Sequence, residues 1–192
     1  MECINNSIVL PNPITQIASM PYALYLSLQG KYFIGNTGNL VFDNGKKAWG
    51  GLINPCHSGV NLHLYVWTVT NYGDSPIKAQ IWFNSIPSGS ATKSKLVTPS
   101  NTALCPLPKP KVKLIKADNV TKYPQDGVNA FNRIAPPDST IAQEEDGKFI
   151  FPPGGSFIIF LSNLETPNTP AKCNIALGWW EEPISNSDKI IY

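Results

Sequence analysis

The chain has 192 residues, 42% hydrophobic and 15% charged, with 15 basic and 13 acidic side chains and a formal net charge of +2. This composition excludes a disordered chain, the near-balanced charge argues against strong nucleic-acid binding, which needs a concentrated basic surface, and the length fits one domain with an added arm. No run of about 18 apolar residues occurs, which excludes insertion of a helix into a membrane.

Eighteen prolines and fourteen glycines punctuate the chain, and long helices do not survive such spacing. The segments between them are short and rich in β-branched and aromatic residues, which predicts strands. Residues 1–21 read as an extended arm, with Ile8-Val9-Leu10 as a short strand ahead of Pro11-Asn12-Pro13. The start, Met1-Glu2-Cys3-Ile4-Asn5-Asn6, lacks the basic and apolar regions of a secretory signal.

Residues 22–192 read as a single β-sandwich domain. Tyr22, Leu24, Leu26 and Leu28 alternate, which predicts a strand. Lys31 to Gly35 and Asn39 to Phe42 follow as strands, and Asp43-Asn44-Gly45 is a tight-turn signal. Val60 to Thr70 is the clearest strand. Strict alternation puts Leu62, Leu64, Val66 and Thr68 on one face and His63, Tyr65, Trp67 and Val69 on the other. Ile77 to Phe83 returns after a loop, so this pair reads as a hairpin.

Leu96 to Thr98 and Thr102 to Cys105 read as short strands, and Pro106-Leu107-Pro108-Lys109-Pro110 as a break. Lysines at 109, 111, 113 and 116 interleave with Val112, Leu114 and Ile115, which reads as a strand with one solvated face, with a phosphate-binding ridge as the alternative. Residues 118–147 look irregular, with a helical turn around Asn129 to Ile134 and an acidic turn at Glu144-Glu145-Asp146. Phe149 to Phe151 and Phe157 to Leu161 flank the corner Pro152-Pro153-Gly154-Gly155. Cys173 to Trp180 is the last strand, before a tail over 183–192. Nine or ten strands without a helix or a repeat predict an all-β fold, a jelly-roll-like antiparallel β-sandwich with an extended N-terminal arm, with a barrel as the alternative.

Several strands are apolar on both faces: Leu62 to Val69, Phe157 to Leu161 and Cys173 to Trp180. A lone antiparallel sandwich shows polar residues on its outer faces. The chain's own loops, a neighbouring subunit or an aromatic groove must therefore cover them.

No constellation points to catalysis. Cys56 and His57 are adjacent, and neighbours in an extended segment point to opposite sides. His63 sits in mid-strand as a packed or surface imidazole. Two histidines and scattered cysteines do not make a metal site. Glu181-Glu182 and Glu144-Glu145-Asp146 read as solvated turns, and no cofactor fingerprint occurs. No catalytic residue, metal or cofactor is assigned. Of the four cysteines, Cys105 and Cys173 suit buried thiols. Cys3, close to the terminus, is placed for a disulfide to Cys56, Cys105 or Cys173 of another copy. Trp49, Trp179 and Trp180 are the candidate aromatic binding surface, with one ring of the adjacent pair in the core.

The stretches Gly30-Lys31-Tyr32-Phe33-Ile34-Gly35, Trp49-Gly50-Gly51-Leu52-Ile53-Asn54-Pro55, Ser58-Gly59-Val60-Asn61-Leu62 and Thr98 to Pro106 resemble an uncharacterised family of small proteins from spore-forming bacteria. The layout, an arm bearing Cys3 and then a β domain, is similar to spore-appendage (endospore pilus) subunits. That resemblance implies a jelly-roll subunit made without a signal peptide, whose arm docks on a neighbour and cross-links to it.

The resulting expectation is a non-enzymatic subunit that self-assembles into an extracellular or spore-surface fibre. Ile4, Ile8, Val9 and Leu10 would form the assembly arm. The partners would be other copies, with an anchoring surface protein as a further candidate and no nucleic acid. The alternatives are a carbohydrate-binding module, a phage or virion structural protein, and a cytoplasmic location.

Overall fold

The computed structural model describes residues 19–164 and 169–184. They form a seven-residue helix, α1 (Tyr22–Leu28), and twelve strands. In chain order the strands are β1 (Tyr32–Asn36), β2 (Leu40–Phe42), β3 (Lys47–Ile53), β4 (Val60–Asn71), β5 (Ile77–Phe83) and β6 (Thr92–Lys93). There follow β7 (Val97–Pro99), β8 (Lys113–Val120), β9 (Val128–Ala135), β10 (Ser139–Phe151), β11 (Ser156–Asn163) and β12 (Ala171–Pro183).

Two antiparallel six-stranded sheets result. One runs β10-β4-β12-β1-β7 with β2 also on β12, and the other runs β6-β8-β3-β11-β5-β9. The pairing is nested along the chain. β1 takes β12, β3 takes β11, β4 takes β10, and β5 takes β9. The core fills the space between the sheets with Phe42, Leu62, Leu64, Trp67, Ile81, Phe157 and Trp179, all essentially inaccessible to solvent.

Both outer faces are covered in part by the chain itself. Helix α1 lies over Trp180 and Tyr32, burying Leu26 against them, with Tyr22 edge-on to Trp180. On the other sheet Trp49, Ile158 and Phe160 form a second cluster. Trp49 Nε1 donates to the Ser88 carbonyl at 2.8 Å, and Tyr123 packs on Phe160. The apolar second faces of β11 and β12 thus meet the chain's own helix and loops.

The structure corrects several expectations. Tyr22–Leu28 is helical, not a strand. Pro21 opens it and Gly30, at φ +69°, closes it, the proline-start and glycine-stop pattern of a short helix. The strict alternation in β4 fails at Tyr65, because the register with β12 passes from Val66–Gly178 to Leu64–Trp179. This bulge puts Trp67 and Val69, rather than Val66 and Thr68, in the core beside Leu62 and Leu64. β4 and β5 are not a hairpin. Asn71 Nδ2 donates to the carbonyls of Ser75, Ala135 and Pro136, and this pins the crossing from one sheet to the other.

Residues 118–147, read as irregular, carry the end of β8, all of β9 and most of β10. The helical turn at Asn129 to Ile134 is strand β9, because pairing with β5 overrides local preference. Thr102 to Cys105 forms turns rather than a strand, while β3 and β6 are additional strands.

Candidate functional site

Each sandwich has two margins where its sheets end, and here the two differ in construction. At one margin the chain crosses directly from β6 to β7 through buried Ser94. The Ser94 hydroxyl donates to the Asn36 carbonyl at 2.6 Å and accepts from the Leu96 amide at 3.2 Å. The Ser94 amide donates to the Leu114 carbonyl at 2.9 Å, so this one residue stitches the two sheets together. Exposed Lys93 and Lys95 flank the stitch.

At the opposite margin the ladders end on β9 and β10, strands of eight and thirteen residues. β9 pairs only with β5 among the described residues, an edge position on which the Asn132 carbonyl accepts from Arg133 and the Ala135 carbonyl from Asn71. Val128 and Ile134 on it are 64% and 54% exposed. Its one charged side chain, Arg133, lies over the Phe131 ring at 4.9 Å. A hollow of about 510 Å³ beside β9 is lined by Lys78, Asn132, Arg133, Ile134 and Leu164.

β10 is bent by a bulge between Glu144 and Phe149 in its pairing with β4. Glu145 turns inward there and accepts from Trp67 Nε1 at 3.1 Å. The acidic triplet is therefore a strand bulge, not a solvated turn, since an indole N–H in the core needs an acceptor. Glu181 is buried as well. It accepts from the amides of Lys111 (3.0 Å) and Val112 (2.9 Å) and from Trp179 Nε1 (3.3 Å). These bonds hold the start of β8 against β12.

His63 is stacked on Trp180 with centroids 3.6 Å apart. Its Nε2 lies 3.1 Å from Glu182 Oε2 and its Nδ1 lies 3.2 Å from the Gly147 carbonyl. Both partners are acceptors, and the ring serves to join β4, β10 and β12. Among the described residues no group of three or more His, Cys, Asp or Glu side chains could hold a metal ion.

The predicted site residues separate into three groups. Cys3, Ile4, Ile8, Val9 and Leu10 lie outside the described residues. Cys56 and Cys105 are exposed free thiols in the β3–β4 and β7–β8 loops. Cys105 is thus not the buried thiol expected, because its segment is a surface turn. Cys173 faces the core, and burial pushes its thiol up to about 12. It cannot bond to another copy of the folded domain without leaving the core. Trp49 and Trp179 are fully buried and Trp180 is 7% exposed, so these rings do not form a sugar-stacking platform. The β9 margin was not singled out from sequence. The low charge of Val128 to Ala135 was its one visible signal.

The model of a family described as a family of unknown function (DUF6143) matches residues 6–186, and the chain belongs to that family. No curated protein and no solved structure matches the chain.

Proposed function

We propose that this member of the family is a non-enzymatic structural subunit that assembles with copies of itself. Residues 8–10 of one copy's arm would add as a strand to the edge of β9 on the next. The observation that carries this reading is the contrast between the stitched β6–β7 margin and the long open edge of β9, which exposes apolar side chains. Unpaired strand edges are templates for pairing, and strand addition supplies backbone hydrogen bonds with little demand on side-chain fit.

The stretch from Leu10 to Ser19 would span about 30 Å when extended, and six strands at about 4.8 Å spacing are about 24 Å wide. A donor arm and an acceptor edge are different surfaces, so the contact is head-to-tail, and where its rotation does not close a ring it makes a filament. The nested strand pairing fits a jelly roll, the fold of the appendage subunits whose arm layout this chain resembles. An extracellular or spore-surface fibre is the proposed setting. Cys3 would lock the contact by bonding to exposed Cys56 or Cys105 of the neighbour.

The test is negative-stain electron microscopy of the full chain and of a chain lacking residues 1–12, each with and without reductant. Regular filaments are expected from the full chain only, weakened by reductant, with circular dichroism showing the shortened chain folded. Identical polymers from the shortened chain, or dispersed monomers from the full one, overturn the reading.

A further inference from the structure

We propose that the hollow at the β6–β7 margin is a binding site for a small anion with an apolar body, in the class of aromatic and aliphatic sulfonates, carboxylates and phosphate monoesters. This goes beyond the self-assembly reading and does not depend on it.

Residues 90–117 hold six lysines and no carboxylate. Lys93, Lys95 and Lys109 rim a hollow of about 530 Å³ whose inner wall includes Val97, Pro110, Val112 and Leu114. All three lysines are exposed, and none is in an ion pair among the described residues. Glu181, the carboxylate bonded at the start of β8, accepts from the amides of Lys111 and Val112 and from Trp179 Nε1, and it does not line the hollow. Like charges around one hollow repel one another, and an anion that enters relieves that repulsion.

The walls are fixed before any ligand arrives. Ser94 holds one of them through its bonds to Asn36, Leu96 and Leu114. Glu181 holds the other at Lys111 and Val112. Lys109 lies between Pro108 and Pro110, whose rings fix the backbone φ. Pro108 is seated so close to Gly30 that a side chain there would meet its ring. A site shaped in advance loses little freedom on binding.

Chemistry then selects the ligand. Sites for small molecules are hollows of roughly 300–1,000 Å³, mostly apolar, with a few polar groups that orient the ligand. A bare inorganic anion leaves the apolar wall uncovered, and a neutral apolar molecule leaves the lysines unpaired. Single surface ion pairs are weak. Selectivity therefore needs both halves, an anionic head at the rim and an apolar body against the wall.

Equilibrium dialysis of the full chain against naphthalene-2-sulfonate, read by ultraviolet absorbance, tests this in monomer and polymer alike. One bound probe per chain is expected. Affinity should fall on the order of tenfold in K93Q/K95Q/K109Q, and also on raising salt from about 0.05 M to about 0.5 M. It should hold in K46Q/K122Q/K172Q, which removes the same charge from exposed lysines elsewhere. Unchanged thermal unfolding confirms the fold of both variants. Sulfate and naphthalene-2-methanol, which carry the head and the body alone, should each bind more weakly by a similar factor.

Equal losses in the two triple variants, or either half-ligand matching the probe, reduce the lysines to a solvated face and overturn the inference. Absence of binding overturns it too. A long-chain polyphosphate that binds far more tightly than the probe, through the same three lysines, assigns the margin to a polyanion and overturns it as well.

Discussion

At the β6–β7 margin the ladders end on strands of two and three residues, whereas at the β9–β10 margin they end on strands of eight and thirteen. The short margin is closed by a crossing segment, pinned by Ser94 and flanked by lysines. Those are features by which proteins keep strand edges from pairing. The long margin has none of them on β9, where one folded-back arginine is the whole charge complement. Edge protection is therefore heavier at the β6–β7 margin than along β9, where a bulge opposite Ile81 and Trp82 and one arginine supply it. That asymmetry is the feature on which the proposed directional assembly rests.

The largest effect should come from closing the open edge. In V128K/I134K two exposed side chains become charged, so folding stability should change by no more than about 0.5 kcal/mol, while filaments disappear from electron micrographs. Leu96→Lys makes the same chemical change at the closed margin, where Leu96 is 53% exposed, and should leave filaments intact. The reverse outcome would invert the comparison.

A smaller effect separates the buried anchors of the two margins. Glu145→Ala leaves the Trp67 indole N–H buried without its acceptor and should cost about 1–3 kcal/mol in denaturant unfolding. Ser94→Ala removes a hydroxyl bonded to a neighbouring carbonyl and should cost about 1 kcal/mol. It should also speed hydrogen exchange at the Leu96 amide, which the hydroxyl accepts from. Equal losses would mean that the margins are built alike.

The smallest effect lies between the margins. Burial, with Tyr65 and Glu144 adding to it, pushes Tyr32 from 10.0 up to about 12. The folded state thus favours the neutral phenol, and the stability linked to it is fully present below pH 10 and is lost as pH rises toward 12. Tyrosinate absorbance should show a step near pH 12 that is absent from Tyr32→Phe. Titration near pH 10 would mean that Tyr32, whose ring lies edge-on to Tyr65, is open to water.

Much of the fold was legible because strand periodicity is local. β1, β2, β4, β5, β11 and β12 each show as a β-branched or aromatic run between turn residues. The bulge at Tyr65 was not legible, since a one-residue slip depends on what Gly178 and Trp179 can face across the ladder. Nor was the burial of Glu145 and Glu181. Carboxylates look solvated in sequence until an indole N–H or a pair of amides is brought to them by another strand. β9 was hidden for a similar reason, because Val128 to Ala135 has weak alternation and is a strand only beside β5.

By itself the sequence determined the all-β class, the sandwich architecture and the near absence of helix, because these follow from residue spacing and residue type along the chain. Only the tertiary structure decided which tryptophans are core, which thiols are exposed and which sheet margin is left open. Those properties depend on the burial and edge position each strand takes, and these are fixed by partners far away in sequence.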